Sequence, residues 1–297
     1  MPGRLQDKVA LVTGAGCIGP GWGNGRATAV LFAREGAKVF AVDKNGESMK
    51  ETLDRVAEFG GTIKTHECDV TQSAAVKAMI DACLAAFGRI DVMVNNAGYS
   101  LLGNFEELTT ADIERQFATN FWGVVYLMRA VLPVMRKQRS GHIINISSVA
   151  GVVGLKHCAA YGASKFAVEG LSLSVATEVE QFGIKITVVE PGFFRTDLLA
   201  PSNVKWGGDG IEDYAADGSS EAMWSPYHGT QPGDPDKLGD ALVTIATMES
   251  PPKLFVAGSD ALSVITPAIE ARLQATHGNE KLSKSTDGAF QEMEART

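Results

Sequence analysis

Cysteine is scarce. Cys17, Cys68, Cys83 and Cys158 are the only four in 297 residues, and no two stand in a CxxC pair. That spacing excludes a paired-thiolate zinc site and a disulfide framework, and leaves reduced, mostly structural thiols. A surplus of positive charge is also missing: 27 Lys and Arg face 35 Asp and Glu, for a net charge of −8. Nucleic acid is therefore not an expected partner, because binding to its backbone draws on clustered cations. Long apolar runs are absent as well. The most apolar stretch, residues 124–135, is interrupted by Arg129, and residues 1–7 lack the apolar core of a secretory signal. The expectation is a soluble cytoplasmic protein with no membrane contact. His66, His142, His157, His228 and His277 show no ligand spacing, so no metal is expected and they read as core or surface residues. His157 alone stands where it could border a ligand.

What is present suits one large α/β domain. Hydrophobic residues make up 45% of the chain and charged residues 21%, enough apolar volume for a sizeable core. Apolar runs of strand length recur at 9–12, 38–42, 92–94, 142–146 and 185–189. Between them lie segments of helical periodicity, at 25–35, 47–59, 74–87, 111–138, 160–182 and 235–248. Short continuous apolar strands alternating with helices predict a doubly wound, Rossmann-type parallel sheet covered on both faces. Gly36, Gly88 and Gly183 fall where helix C-caps prefer glycine. Residues 196–234 turn to Gly, Asp, Ser and Pro punctuated by Trp206, Tyr214, Trp224 and Tyr227, which predicts a substrate lid. The division expected is a catalytic domain over 1–260 that includes this lid, then a C-terminal helix and a polar, loosely held tail from about 278.

Three features carry chemistry. The first strand runs into Gly14-Ala15-Gly16-Cys17-Ile18-Gly19-Pro20-Gly21-Trp22-Gly23-Asn24-Gly25 and then an Ala-rich helix. Glycines between strand and helix let the backbone approach a pyrophosphate, whose charge meets the free N–H groups of the helix N-terminus. Asp43 ends the second strand, where an acid accepts hydrogen bonds from an adenosine ribose and repels a 2′-phosphate, which favours NAD over NADP; the adjacent Lys44 pulls the other way. Tyr161 and Lys165 stand one helical turn apart, so a lysine charge could stabilise a tyrosinate for acid/base work. Ser148 closes the strand at 142–146 and could hold the reacting oxygen.

Together with Asn95-Asn96-Ala97-Gly98 and Ser147-Ser148, these residues resemble the short-chain dehydrogenase/reductase family over about the first two thirds of the chain. The resemblance implies a catalytic tetrad of Asn120, Ser148, Tyr161 and Lys165: tyrosine as acid/base, serine orienting the carbonyl or hydroxyl, and lysine lowering the phenol pKa while holding the nicotinamide ribose. Asn120 would be the helix-bend asparagine whose carbonyl holds a relay water. It further implies cofactor contacts from Gly14, Cys17, Asn24 and Gly25, from Asp69 and Val70 at the adenine edge, and from Asn95, Ala97 and Gly98. Pro191, Gly192, Phe194 and Thr196 would lie over the nicotinamide carboxamide. The chain departs from the family in its loop. Eight residues, Ala15 to Trp22, stand where the family usually has three, so Gly19-Pro20-Gly21 competes for the phosphates and Trp22 could pack under the loop or reach over the adenosine. The expected activity is NAD-dependent interconversion of a secondary alcohol and a ketone. An NADPH-dependent carbonyl reductase and a nucleotide-sensing scaffold without turnover are the alternatives. The lid tryptophans favour an apolar or ring-bearing substrate, and the family implies a homodimer or homotetramer.

Overall fold

The structure is a computed structural model that describes residues 3–288 except 18, 20, 201, 202 and 209. Its strands are β1 (Val9–Thr13), β2 (Lys38–Asp43), β3 (Thr62–Glu67), β4 (Val92–Asn95), β5 (Leu101–Leu102), β6 (Gly141–Ile146), β7 (Ile184–Pro191), β8 (Lys205–Trp206) and β9 (Leu254–Ala257). Its helices are α1 (Asn24–Arg34), α2 (Lys50–Ala57), α3 (Ser73–Phe87), α4 (Thr110–Phe117), α5 (Gly123–Gln138), α6 (Ala159–Val179), α7 (Ser220–Trp224), α8 (Pro235–Thr247), α9 (Ser259–Gly278) and α10 (Glu280–Lys284).

Seven strands form one sheet in the order β3-β2-β1-β4-β6-β7-β9, parallel throughout. Successive residues of β1 point to opposite faces. Ala10 and Val12 join Val39, Ala41, Val92, Val94 and Ile144 in a core shared with α1 and α8, while Val9 and Leu11 join Phe40, Met93 and Ile143 in a core shared with α3, α5 and α6. Each fully buried aliphatic side chain contributes about 1.5–3 kcal/mol, so a strand buried on both faces needs no polar alternation. The predicted doubly wound sheet is the one found.

Two strands of the seven-stranded sheet escaped the apolar-run reading for a physical reason. β3 is an edge strand that is largely exposed, so its Thr-Ile-Lys-Thr-His-Glu sequence needs no apolar run. β9 sits at the other edge, where four residues suffice. The expected single helix over 111–138 is also corrected: a π-turn, Ala118–Trp122, separates α4 from α5. There the buried Asn120 side chain exchanges hydrogen bonds with the Tyr99 backbone, donating to its carbonyl at 3.1 Å and accepting from its N–H at 3.2 Å. A helix that must present a side chain inward at this spot accommodates it by widening one turn.

The 110–138 stretch is long and apolar enough by composition to cross a membrane. In this fold Val124, Leu127, Val131 and Met135 instead pack against the sheet. Beyond β9, α9 is anchored by Ala261 and Ile265 and leaves Leu262, Ile269 and Leu273 exposed. α10 extends into the region read as tail, and 289–297 lie outside the described residues. The C-terminal edges of β1 and β4, where the strand order reverses, open onto the site, as open α/β sheets require.

Candidate active site

A cavity of about 930 Å³ runs from the glycine loop past the ends of the central strands to the 196–234 segment. Its floor at β1 depends on glycine for two separate reasons. Gly14 has φ of +62°, and a Cβ on Gly25 would fall 2.0 Å from the Gly14 carbonyl oxygen, so helix α1 can begin against the loop only without side chains there. Half-buried Asn24 leaves its Oδ1, an acceptor, without a partner among the described residues. A backbone cradle opening onto the N-terminus of α1 fits a dinucleotide pyrophosphate, whose oxygens can accept from the free N–H groups there.

The enlarged loop is held from beneath by a residue the sequence reading passed over. Arg26, 1% exposed on α1, donates to the carbonyls of Gly21, Gly19 (3.5 Å) and Ser48 (3.2 Å) and pairs with Glu51 at 2.7 Å. Trp22 packs under the loop, half-buried against the core, with the Arg55 guanidinium 4.1 Å over its ring, so of its two readings the structure selects packing. On the loop's far side the Cys17 thiol donates to Asp197 at 3.0 Å and the Gly19 N–H to the same oxygen at 3.3 Å. Asp43 is fixed at the cavity's mouth: its carboxylate accepts from the N–H groups of Gly16 (3.0 Å) and Asn45 (3.2 Å). Lys44 also lines the cavity and makes no ion pair among the described residues.

Ser148, Tyr161 and Lys165 line the middle of the same cavity. Ser148 follows β6 and accepts from the Ala150 N–H at 3.2 Å. Lys165 is buried; its Nζ donates to the Ile146 carbonyl at 2.8 Å and stands 5.8 Å from the Tyr161 ring centre. Burial pushes the Tyr161 phenol up to about 12, with a Ser148 hydrogen bond acting the other way, and brings Lys165 down to about 8. Desolvation dominates the phenol's shift, and the lowering expected from Lys165 is not among its causes. At neutral pH the pair is a phenol beside an ammonium. Perturbed groups gathered in a cleft mark a functional site.

Behind Lys165 sit two carboxyls, half-buried Glu169 and buried Glu190. Glu169 accepts from the Ser147 hydroxyl at 2.6 Å. Burial pushes it up to about 7, the Ser147 bond opposing and the neighbouring Glu190 reinforcing the shift. The folded chain therefore holds this proton more tightly than the unfolded chain. The resulting stability is fully present below the ordinary glutamate value of 4.5 and is lost as pH rises through about 7. Discounted for partial solvent access, the loss is about 2 kcal/mol. Lys165 contributes no slope there, because its window lies between about 8 and 10.5. We expect wild type to lose that much relative to Glu169→Gln when urea unfolding is compared at pH 4.5 and pH 7.5; parallel profiles would refute it.

The 196–234 segment is more ordered than its composition suggests. β8 pairs with β5, and Phe193, Trp224 and Tyr227 stack on one another with ring centres 5.2–5.9 Å apart. Leu102, Leu155, Cys158, Phe193, Leu199 and Trp224 give this end of the cavity an apolar wall.

Of the residues singled out in the sequence, Gly14, Cys17, Asn24, Gly25, Asp43, Asp69, Val70, Ala97, Gly98, Pro191, Gly192, Phe194 and Thr196 all line the cavity. Asn95 does not: its amide is buried in the sheet, donating to Asn145 at 2.6 Å. Its neighbour Asn96 lines the cavity instead and clamps the carbonyls of Thr13 and Gly14 at 3.1 Å each. Strand alternation could have found this, since adjacent residues face opposite ways. Asn120 lies outside the lining, buried behind Tyr99 and 3.3 Å from the Ser164 hydroxyl. Gln231 and Arg26 went unnoticed because nothing local in the sequence marks them. Among the described residues no cluster of three or more metal-ligating side chains exists.

Comparison with known proteins agrees with this geometry. Residues 8–205 match the family model described as short chain dehydrogenase. A 3-ketodihydrosphingosine reductase from Bacteroides thetaiotaomicron is 36% identical over 248 residues, covering 84% of this chain and 87% of that protein. The crystal structure of a short-chain dehydrogenase from Streptomyces avermitilis superposes with a TM-score of 0.84 at 33% identity, covering 95% of this chain and 99% of that one. Two solved relatives hold different nucleotides. A metagenomic short-chain oxidoreductase is in complex with NADP (TM-score 0.67, 30% identity, 86% and 98% covered), and one from Burkholderia phymatum is in complex with NAD (0.76, 25%, 94% and 96%). The glycine cradle, the Ser148, Tyr161 and Lys165 cluster and these likenesses together make the chain a member of the short-chain dehydrogenase/reductase family.

Proposed function

We propose that this oxidoreductase interconverts a secondary alcohol and a ketone using NAD, on an apolar or ring-bearing substrate. The observation that carries the reading is a single cavity shared by the glycine cradle, Asp43, the Ser148, Tyr161 and Lys165 cluster and the apolar lid wall. The nicotinamide, when bound, supplies or accepts the hydride. Tyr161 gives its phenolic proton to the carbonyl oxygen in reduction, and Ser148 holds that oxygen by its hydroxyl. Lys165, tethered to the Ile146 carbonyl, supplies positive charge beside the phenol as it loses its proton. Asn120, gripped by Tyr99, fixes the bend at which the relay would leave the site. The Bacteroides relative, named as a reductase of a keto compound, supports reduction as one direction.

Asp43 supports NAD, because a fixed carboxylate at the mouth repels a 2′-phosphate. Lys44, unpaired among the described residues and lining the same mouth, favours a second reading as an NADPH-dependent reductase. Replacing Asp43 by Ala should narrow the NAD over NADP preference at least tenfold in kcat/KM, roughly the worth of one charge contact. An unchanged ratio would reassign the coenzyme. A panel of secondary alcohols and ketones read by nicotinamide absorbance with both coenzymes tests the reaction itself, and binding without turnover across it would favour a nucleotide sensor. Exposed Trp122, Phe166 and Leu173 on the long helical segments support a homo-oligomer, and the −8 charge supports solubility.

A further inference from the structure

One polar group in the cavity is unaccounted for by that reaction. Gln231 is 2% exposed, lines the cavity, and leaves its Oε1 buried with no partner among the described residues. A buried acceptor left unpaired is destabilising, so its position is held for a reason. The backbone there is fixed: Arg195 donates to the Gln231 carbonyl from Nε at 3.1 Å and Nη2 at 3.0 Å, and Gly233 pairs with Phe194. The side-chain NH₂ leans on the Thr196 carbonyl at 3.5 Å, which sets the amide's orientation and leaves Oε1 as the free end. Beside it, the Thr196 hydroxyl accepts from the Leu198 N–H at 3.2 Å and still has its own proton to give.

A spare acceptor next to a spare donor is the complement of a primary carboxamide. The other polar demands of the site are already met. Phosphates have the glycine cradle, the adenosine ribose has Asp43, and the substrate oxygen has Tyr161 and Ser148. A ketone oxygen cannot serve Gln231 Oε1, because both are acceptors. Building on the nicotinamide reading above, we propose that Gln231 is a coenzyme-recognising residue whose Oε1 accepts the carboxamide N–H of the nicotinamide, while the Thr196 hydroxyl donates to the carboxamide oxygen. Anchoring both ends of that amide fixes the rotation of the ring and hence the face it offers to the substrate.

The test is direct binding, followed by coenzyme fluorescence without substrate. It compares NADH with reduced 3-acetylpyridine adenine dinucleotide, in which a methyl group replaces the amide NH₂, and runs the NADPH pair alongside. Wild type should bind the natural coenzyme about tenfold more tightly than the analogue, the worth of one buried hydrogen bond. Gln231→Met, of similar volume and without an acceptor, should weaken the natural coenzyme about tenfold and leave the analogue within twofold. Equal weakening of both, or of neither, would overturn the assignment; the latter would direct Gln231 to a donor on the substrate. If Gln231→Met does not fold, the wild-type ratio decides alone, and a ratio near one refutes the pairing. Failure of wild type to bind any of these dinucleotides would instead overturn the nicotinamide reading, and this assignment with it.

Discussion

Tyr161→Phe is expected to lower kcat/KM for ketone reduction by about 10²- to 10⁴-fold, the usual range for losing a positioned acid/base group. Coenzyme dissociation constants should stay within about twofold. The separation of the two effects is the point of the experiment. Phenylalanine keeps the ring that packs in the cavity and removes only the hydroxyl, and the other phenol among the described lining residues is Tyr99, whose backbone holds the Asn120 side chain. The Tyr161 phenol, pushed up to about 12 by burial, carries its proton throughout the neutral range, so the wild-type acid form needs no titration to act. A loss of less than tenfold would mean that another group or a water delivers the proton. A collapse of coenzyme binding would mean that the hydroxyl is structural.

Arg26→Met is expected to reduce the unfolding free energy by about 3–5 kcal/mol, measured by urea titration with an unchanged m-value. Methionine replaces the aliphatic stem, so the loss is polar. The carbonyls of Gly19, Gly21 and Ser48 would lose a shared donor that sits almost wholly out of water. Glu51 keeps Arg55 as a partner, which limits the damage on the acidic side. Because the Gly19 and Gly21 carbonyls belong to the enlarged glycine loop, dinucleotide affinity should fall in the same variant. A cost below 1 kcal/mol would show that the loop holds its shape without the guanidinium.

What could be read in the sequence follows how local each signal is. The central strands announced themselves because burial on both faces requires unbroken apolar runs. β3 did not, because an edge strand answers to solvent on much of its surface. Tyr161 and Lys165 were legible through helical spacing, and the glycines through their place between strand and helix. Asn95 and Asn96 were separated only by the strand's alternation, one facing the sheet and the other the cavity. Arg26 and Gln231 had no such signature. Their meaning lies in partners brought together by the fold: Arg26 reaches Glu51 from a different helix, and Gln231 meets Thr196 from 35 positions away. The π-turn at Asn120 was likewise set by Tyr99, on a separate segment.

The scarce cysteines have a consequence for the chemistry the cavity avoids. Three of the four, Cys17, Cys68 and Cys158, line it. Burial pushes Cys17 up to about 11, helped by Asp197, and Cys158 up to about 12, with Cys68 raised as well. Oxidants and electrophiles attack the thiolate form, and a shift from 9 to about 11 leaves Cys17 with about a hundredfold less of it at neutral pH. The walls thus offer a substrate the soft, polarisable contact of sulfur while withholding its nucleophilicity.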